Sequence, residues 1–297
     1  MLDLFEERLA ASAVRTEAVL GNLLPEGSGA SRKLPEAMRY SLLNGGKRLR
    51  AFLTLTFCEA CGGDPADAEN YAAGLEMMHA FSLIHDDLPS MDNDSMRRGK
   101  PSNHVAFGEA TALLAGDALS LLALETVAEN PRCGVEQNLR AVSALAREAG
   151  YLGMCGGQQI DLQSEGVSLD RETLEELVDK KTGALFSAAC TLGCIAGKAD
   201  EEMTAAAGRY AKLTGLAFQI ADDLLDLRST LKTLGKTPGK DKEKGKSTFP
   251  ALLGEEEAEA FALSLCGKAA HTLDAFPSSD AKTALLQYCA FITLRQS

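Results

Sequence analysis

Residues 84–94 read Ile-His-Asp-Asp-Leu-Pro-Ser-Met-Asp-Asn-Asp and close a long apolar stretch. The preceding residues, 67–88, repeat apolar side chains at helical spacing and lack the alternation of a half-buried strand. Pro89 disfavours helical backbone at Leu88, so a helix is expected to end there. The segment therefore predicts a helix that presents four carboxylates at its C-terminal end.

Helical periodicity continues on both sides of this segment, interrupted by short loops rich in Gly, Asn and Pro. The expected helices are an N-terminal one carrying Leu2, Phe5 and Leu9, then 34–44, 49–61, 67–88, 105–129, 135–153, 172–180, 183–197, 201–227 and 255–275. We therefore expect an all-α fold, a single large bundle of about ten helices that forms one domain over residues 1–297.

Composition excludes several classes of protein. The chain has 30 basic and 42 acidic residues and a net charge of −12, which argues against a nucleic-acid-binding protein. The longest uncharged run, 182–197, is shorter than the roughly 20 apolar residues that span a bilayer, so no membrane span is expected. Eight scattered cysteines are typical of a cytoplasmic protein without disulfides, and Cys58-x-x-Cys61 lacks further ligands at zinc-site spacing.

The first aspartate cluster holds Asp86, Asp87, Asp92 and Asp94. On a continuous helix Asp86 and Asp92 would lie about 240° apart and could not share a ligand. A chain reversal at Pro89 would bring Asp92 back beside Asp86. Carboxylates packed this closely need a cation, and oxygen-only ligands favour Mg²⁺ over zinc or copper.

A second cluster lies in Phe218-Gln-Ile-Ala-Asp-Asp-Leu-Leu-Asp226. Asp222 and Asp226 are about 40° apart around a helix, and Gln219 is about 20° from Asp226, so the three share one face. One acidic cluster alone is typical of a solvated helix face. Two clusters, each within an apolar helix, favour a metal site.

Basic residues are concentrated beside glycines, which is typical of phosphate binding. Segments 45–50, 97–100 and 232–246 hold 12 of the 30 Lys and Arg residues in 25 positions. His79 lies about 20° from Asp86 on the same helix face and could reach the same cavity. Asp117, in an apolar helix, is expected to be a buried structural acid.

Together these residues resemble the trans-prenyltransferases, the polyprenyl diphosphate synthase family. The resemblance rests on Asp86-Asp87-xxxx-Asp92 with Arg97-Arg98-Gly99, on Gln219-xx-Asp222-Asp223-xx-Asp226, and on Gly45-Gly46-Lys47-Arg48-x-Arg50, Gly157-Gln158-xx-Asp161, Lys181-Thr182, Leu234-Gly235-Lys236 and Lys246-Ser247-Thr248-Phe249-Pro250. It implies an isoprenoid-synthase helical bundle around a central cavity.

The resemblance also implies residue roles. Metal ligands would be Asp86, Asp92, Asp222, Asp223 and Asp226, holding three Mg²⁺ on an allylic diphosphate. Arg97, Lys181, Lys236 and Lys246 would bind that diphosphate, and Lys47, Arg50, His79 and Arg98 would bind isopentenyl diphosphate. Lys181, Thr182 and Gln219 would face the developing cation, Asp87 would support catalysis, and the stretch 233–248 would form a lid.

The implied reaction is 1'-4 condensation of isopentenyl diphosphate with dimethylallyl or geranyl diphosphate by a homodimeric enzyme. Phe81 resembles the residue that stops growth at farnesyl, although Ser82 lies closer to Asp86 around the helix. Geranyl or geranylgeranyl products and a non-catalytic partner subunit stay open as alternatives. The second aspartate motif argues against a terpene cyclase, and the lack of a P-loop argues against a phosphohydrolase. One departure is Ala51, where the family usually has Pro.

Overall fold

The computed structural model describes residues 2–232 and 247–294, with only the backbone described for 229–232. Most of the described chain is helical. The helices are α1 (Asp3–Leu23), α2 (Lys33–Leu42), α3 (Leu49–Ala60), α4 (Glu69–Asp86), α5 (Asn103–Phe107), α6 (Glu109–Ala128), α7 (Val135–Ala149), α8 (Met154–Gln163), α9 (Arg171–Val178), α10 (Ala184–Ala196), α11 (Glu201–Lys232), α12 (Phe249–Leu253), α13 (Glu255–Thr272) and α14 (Asp280–Leu294). The all-α prediction is confirmed.

Helix α4 lies at the centre of the bundle, because its neighbours cover nearly all of its sides. It packs along α6 and α3, and also contacts α1, α2, α7 and α10. Residues 71–78 of α4 are all buried, including Glu76. A helix buried on every side shows no amphipathic pattern, which accounts for the continuous apolar run in the sequence.

The aromatic residues of the first, third and last helices pack together. Phe5 of α1 contacts Phe52 of α3 at 5.2 Å between ring centroids and Tyr288 of α14 at 5.7 Å. Each such ring contributes roughly 1.5–3 kcal/mol through burial. Helix α14 was not among the expected helices, although Ala281, Ala284, Leu285, Tyr288 and Ile292 have helical spacing and are buried.

Two local features differ from the sequence prediction. The expected helix 105–129 is divided at Gly108, whose φ of 89° is accessible to glycine and ends α5 before α6 begins. An antiparallel hairpin, β1 (Met96–Arg97) and β2 (Lys100–Pro101), follows the first aspartate cluster. This hairpin carries Arg97 and Arg98.

By length and composition α6 is apolar enough to cross a membrane, and no other helix among the described residues is. It nonetheless packs against α4 as a core helix, with Ala112, Ala115, Leu119 and Ala123 fully buried. Its outward face is uncovered, and Asp117 on that face has a 55% exposed side chain. The prediction that Asp117 is buried was wrong.

All eight cysteines are free thiols. Cys61 Sγ lies 3.9 Å from Cys194 Sγ, whereas Cys58 Sγ donates to the Asp64 carbonyl oxygen at 3.2 Å. The two cysteines of the C-x-x-C sequence therefore have separate partners.

Candidate active site

The C-terminus of α4 brings Asp92 back beside Asp86. After the helix ends at Asp86, the backbone N–H of Asp92 donates to the Asp86 carbonyl oxygen at 2.9 Å. The Asn93 N–H donates to the Leu88 carbonyl at 3.0 Å, and Asn93 adopts a left-handed φ of 51°. The chain reversal expected at Pro89 is therefore present.

Asp86 lines a cavity of about 410 Å³, together with His79, Phe81, Ser82, Met154, Lys181 and Thr182 among others. Burial raises the pKa of Asp86 to about 6; nearby Lys181 acts in the opposite direction, and Asp92 adds to the increase. The carboxylate is therefore held where its negative charge is unfavourable unless a cation approaches.

Asp87 points away from this cavity and pairs with Arg97. It is only 2% exposed, and its oxygens accept hydrogen bonds from Arg97 Nε at 3.1 and 3.2 Å and from Arg97 Nη2. Both residues line a second, much smaller pocket that also contains His79 and Arg98. Adjacent aspartates thus serve different neighbours, because successive helical positions diverge by about 100°.

Lys181 and Thr182 lie in the π-helical segment Asp179–Gly183, between α9 and α10. Such widened turns are frequent at functional sites. Helix α8 approaches this segment so closely that a Cβ added to Gly157 would lie 2.2 Å from the backbone nitrogen of Lys181. Lys181 Nζ donates to Asp161 Oδ2 at 2.6 Å, so α8 also holds the lysine side chain.

The second aspartate cluster lies on α11 and connects to the cavity through Thr182. The Thr182 hydroxyl donates to Gln219 Oε1 at 2.9 Å, and Gln219 Nε2 donates to Asp223 Oδ1 at 2.9 Å. Asp222 is near enough to Arg50 to favour its charged form. Asp222 and Asp223 are half-buried, whereas Asp226 is exposed.

The loop before α3 and the first turn of that helix carry several cations. Arg50, in that first turn, lines the cavity and lies 5.3 Å from the Phe186 ring, and its buried Nε has no hydrogen-bond partner among the described residues. Burial lowers the pKa of Arg50. Lys47 Nζ lies 5.6 Å from the Phe291 ring of α14. A buried guanidinium N–H without an acceptor is suited to an incoming anion.

His79 faces both pockets. Burial, together with Arg50, Arg98, Arg48 and Arg97, lowers the pKa of His79 well below its usual value. The imidazole is therefore neutral at pH 7. The helical geometry that placed His79 near Asp86 is confirmed, since both line the same cavity.

A buried ion pair fixes the conformation of this basic loop. Arg48 adopts a left-handed φ of 51°, and its Nη1 donates to Glu76 Oε2 at 3.2 Å. Both side chains are 3% exposed. The Ala51 N–H donates to Glu76 Oε1 at 3.2 Å, a bond that proline at this position could not make.

Comparison with known proteins accounts for this arrangement. A family model described as polyprenyl synthetase matches residues 31–275. The chain belongs to the polyprenyl synthetase family. It is 40% identical over 289 residues to farnesyl diphosphate synthase of Escherichia coli K12, covering 96% of this chain and 97% of that protein. It is 47% identical over 262 residues to geranylgeranyl pyrophosphate synthase 3, chloroplastic, of Arabidopsis thaliana, covering 86% of this chain and 73% of that protein.

Solved structures agree with this assignment. An apo FPP/GFPP synthase from Zymomonas mobilis has a TM-score of 0.88 and 37% identity, covering 99% of this chain and 100% of that one. A geranyltransferase from Legionella pneumophila has a TM-score of 0.87 and 33% identity, and the match covers 99% of this chain and 98% of that one. The chain is therefore a member of a trans-prenyltransferase family and has the isoprenoid-synthase helical fold.

Sequence reasoning gave no role to three residues that hold the site together. Asp161 and Arg48 lie in motifs that carry the family resemblance, and Glu76 lies on α4 with His79 and Asp86. The i, i+4 spacing of Gln219 and Asp223 is a helix signal that could have indicated their contact. Lys236, Lys246 and nearly all of the stretch expected to form a lid lie outside the described residues.

Proposed function

We propose that this polyprenyl synthetase condenses isopentenyl diphosphate with dimethylallyl or geranyl diphosphate and stops at farnesyl diphosphate. The observation that carries the proposal is a cavity lined by Asp86 and Lys181, with Asp92 folded back beside Asp86 and a second pocket lined by Arg48, Arg97 and Arg98 next to it. Basic side chains thus border both spaces, as the binding of two diphosphate substrates requires. The test is incubation of the protein with Mg²⁺ and both substrates, followed by sizing of the dephosphorylated alcohols.

The proposed cofactor is Mg²⁺, three ions with the diphosphate bound. The donor set fits this ion, because it consists of carboxylate oxygens and includes a partly buried acid whose raised pKa signals the need for a cation. In the described part of the chain no three or more His, Cys, Asp or Glu side chains are grouped closely enough to hold an ion. In this proposal Asp86, Asp92 and Asp222 would hold the ions together with the bound diphosphate.

The chain's own residues orient the substrates and stabilise charge. When bound, Mg²⁺ would neutralise the departing diphosphate as a Lewis acid. Lys181 lines the same cavity as Asp86 and would add positive charge for that leaving group. The Thr182 hydroxyl and Gln219 carbonyl oxygens would face the allylic cation that forms as the C–O bond breaks. Arg50, His79 and Arg98 would hold isopentenyl diphosphate, whose double bond attacks the cation, and the released diphosphate would accept the proton.

Product length in this proposal depends on Phe81, which lines the cavity on α4. Its ring contacts the His85 ring edge-on at 4.8 Å between centroids, and His85 Nε2 lies 3.0 Å from the Leu113 carbonyl of α6. Ser82 also lines the cavity, and its hydroxyl donates to the His79 carbonyl at 2.9 Å. In this proposal the aromatic pair forms the end wall that a growing prenyl chain meets.

Replacing Phe81 with alanine should shift the main product from fifteen to twenty or more carbons, because removing the ring extends the cavity towards α6. Chromatography of the dephosphorylated alcohols measures this directly. Phe107→Ala is a matched control, since Phe107 packs on Tyr40 at 5.3 Å and does not line the cavity. An unchanged product length for Phe81→Ala would contradict the proposed role of the ring.

A geranylgeranyl product is the second candidate, favoured by the 47% identity to a protein named geranylgeranyl pyrophosphate synthase. The same product assay separates the two candidates. If the wild-type enzyme releases mainly twenty-carbon alcohol, the end wall lies deeper than Phe81.

We also propose that two copies associate through the outward faces of α6 and α7. These faces expose Leu113, Leu114, Leu121, Val135 and Leu139 by 46–86%. Exposed large apolar side chains on two helices that pack together are suited to an interface, and a second copy could cover them symmetrically. Leu121→Glu should convert a dimer to a monomer in analytical ultracentrifugation, whereas Leu263→Glu, an equally exposed leucine on α13, should not. A monomeric wild-type protein would contradict the proposal.

A further inference from the structure

Asp223 accepts hydrogen bonds on both carboxylate oxygens from two different elements. Gln219 Nε2, one turn earlier on α11, donates to Oδ1 at 2.9 Å. The backbone N–H of Phe249, in the first turn of α12, donates to Oδ2 at 3.3 Å. An ionised carboxylate only accepts hydrogen bonds, so each neighbour must present an N–H. This requirement turns the amide nitrogen of Gln219 towards Asp223.

The orientation of this amide decides which of its two ends Gln219 presents to Thr182. With the nitrogen held by Asp223, Oε1 faces Thr182 and accepts its hydroxyl hydrogen bond at 2.9 Å. Thr182 lines the cavity that also contains Asp86. The two ends of a glutamine amide have nearly the same shape, so donor and acceptor pairing alone selects between them. The negative end of the amide dipole therefore points towards Thr182.

We infer that Asp223 is a positioning residue, which fixes the Gln219 amide so that its carbonyl oxygen, rather than its NH₂ group, supports the site where positive charge develops. The inference deepens the proposed function, since that function places the allylic cation beside Thr182 and Gln219. It departs from the metal-ligand role that the family resemblance gives to Asp223. The two roles lead to different results when the charge is removed.

Asp223→Asn tests the inference with a side chain of the same shape. The asparagine side chain has only one acceptor oxygen. When that oxygen accepts the hydrogen bond from the Phe249 N–H, the asparagine NH₂ group faces Gln219. The Gln219 amide must then rotate to present its oxygen to the asparagine at position 223, which turns the glutamine NH₂ group towards Thr182. We expect kcat to fall roughly tenfold to a hundredfold, with a change below about twofold in the Mg²⁺ concentration for half-maximal rate.

Asp222→Asn is the matched comparison, because Asp222 is the adjacent aspartate and an expected metal ligand. It should raise the Mg²⁺ concentration for half-maximal rate about tenfold or more. If Asp223→Asn raises the Mg²⁺ requirement to a similar extent, Asp223 acts as a metal ligand and the inference is overturned.

A double variant gives a second, independent test. In the single variant Gln219→Glu, the new carboxylate at position 219 faces the carboxylate of Asp223. Adding Asp223→Asn places an NH₂ donor at position 223 opposite one oxygen of the glutamate. The other glutamate oxygen still faces Thr182. We expect the double variant to be at least about tenfold more active than Gln219→Glu. Equal or lower activity would overturn the inference, whether or not Asp223→Asn folds alone. Wild-type condensation activity tests the proposed function separately.

Discussion

Asp86→Asn should lower the condensation rate by about a thousandfold or more while the protein stays folded. Asp86 lines the cavity, and burial raises its pKa to about 6. A neutral amide of the same shape keeps the packing but removes the charge that would attract Mg²⁺. Condensation rates at saturating substrates, compared with wild type, measure the loss.

Asp86→Asn should not lower the stability of the metal-free protein, although it lowers the condensation rate. A carboxyl group with a raised pKa is less stable when ionised in the folded protein than in the unfolded chain, so this contribution to stability declines as the pH rises from about 4 through 6. Asp86→Asn removes this unfavourable charge, and the metal-free variant should unfold at an equal or higher urea concentration at pH 7. A mainly structural aspartate would give the reverse result.

Asp117→Asn provides a control for charge near α4. Asp117 Oδ1 lies 3.7 Å from His85 Nε2 but is 55% exposed and does not line the cavity. We expect less than about a twofold change in rate, because exposed pairs of this kind contribute little.

Mg²⁺ with inorganic diphosphate should raise the melting temperature of wild type and of Asp117→Asn, but not that of Asp86→Asn. An equal increase in all three proteins would contradict the role of Asp86.

The parts of the site that follow from one element could be predicted from sequence. The end of α4 at Asp86 and the return of Asp92 follow from Pro89, because proline restricts the residue before it whatever the surroundings. Such signals are local, so they survive in any fold that keeps the helix. Helical geometry predicted one face for Gln219, Asp222 and Asp226, whereas in the structure the Gln219 amide contacts Asp223 and Asp226 is exposed.

Pairing between elements could not be predicted in the same way. Arg97 pairs with Asp87, and Lys181 with Asp161, because a hairpin and a π-helical turn place them there. Neither element has a strong sequence signal. The prediction for Asp117 was wrong because it also depended on packing between elements. Helix α6 is apolar on all sides, which indicates burial, but its outer face is uncovered in the single chain. The proposed dimer would cover that face.

Glu76→Ala should destabilise the folded protein by about 3–5 kcal/mol. The pair of Glu76 with Arg48 is almost completely buried, at 3% exposure for both side chains. Alanine would leave the Arg48 guanidinium buried with only partial compensation from half-exposed Glu17 at 3.6 Å. It would also leave the first turn of α3 without the acceptor for the Ala51 N–H. Urea unfolding followed by circular dichroism measures the difference.

Glu69→Ala is the matched control, because Glu69 is also a glutamate of α4 that pairs with arginine. Its pair with Arg15, at 2.7 Å, lies at the surface, so we expect a loss of no more than about 1 kcal/mol.

Replacing both members of the buried pair, Arg48→Met with Glu76→Leu, should recover most of the stability lost in Glu76→Ala, since no buried charge stays unpaired. Because Arg48 lies between Lys47 and Arg50, this double variant should still show a raised KM for isopentenyl diphosphate if the ion pair orients the loop. Equal losses for Glu69→Ala and Glu76→Ala would show that the buried pair does not stabilise the loop.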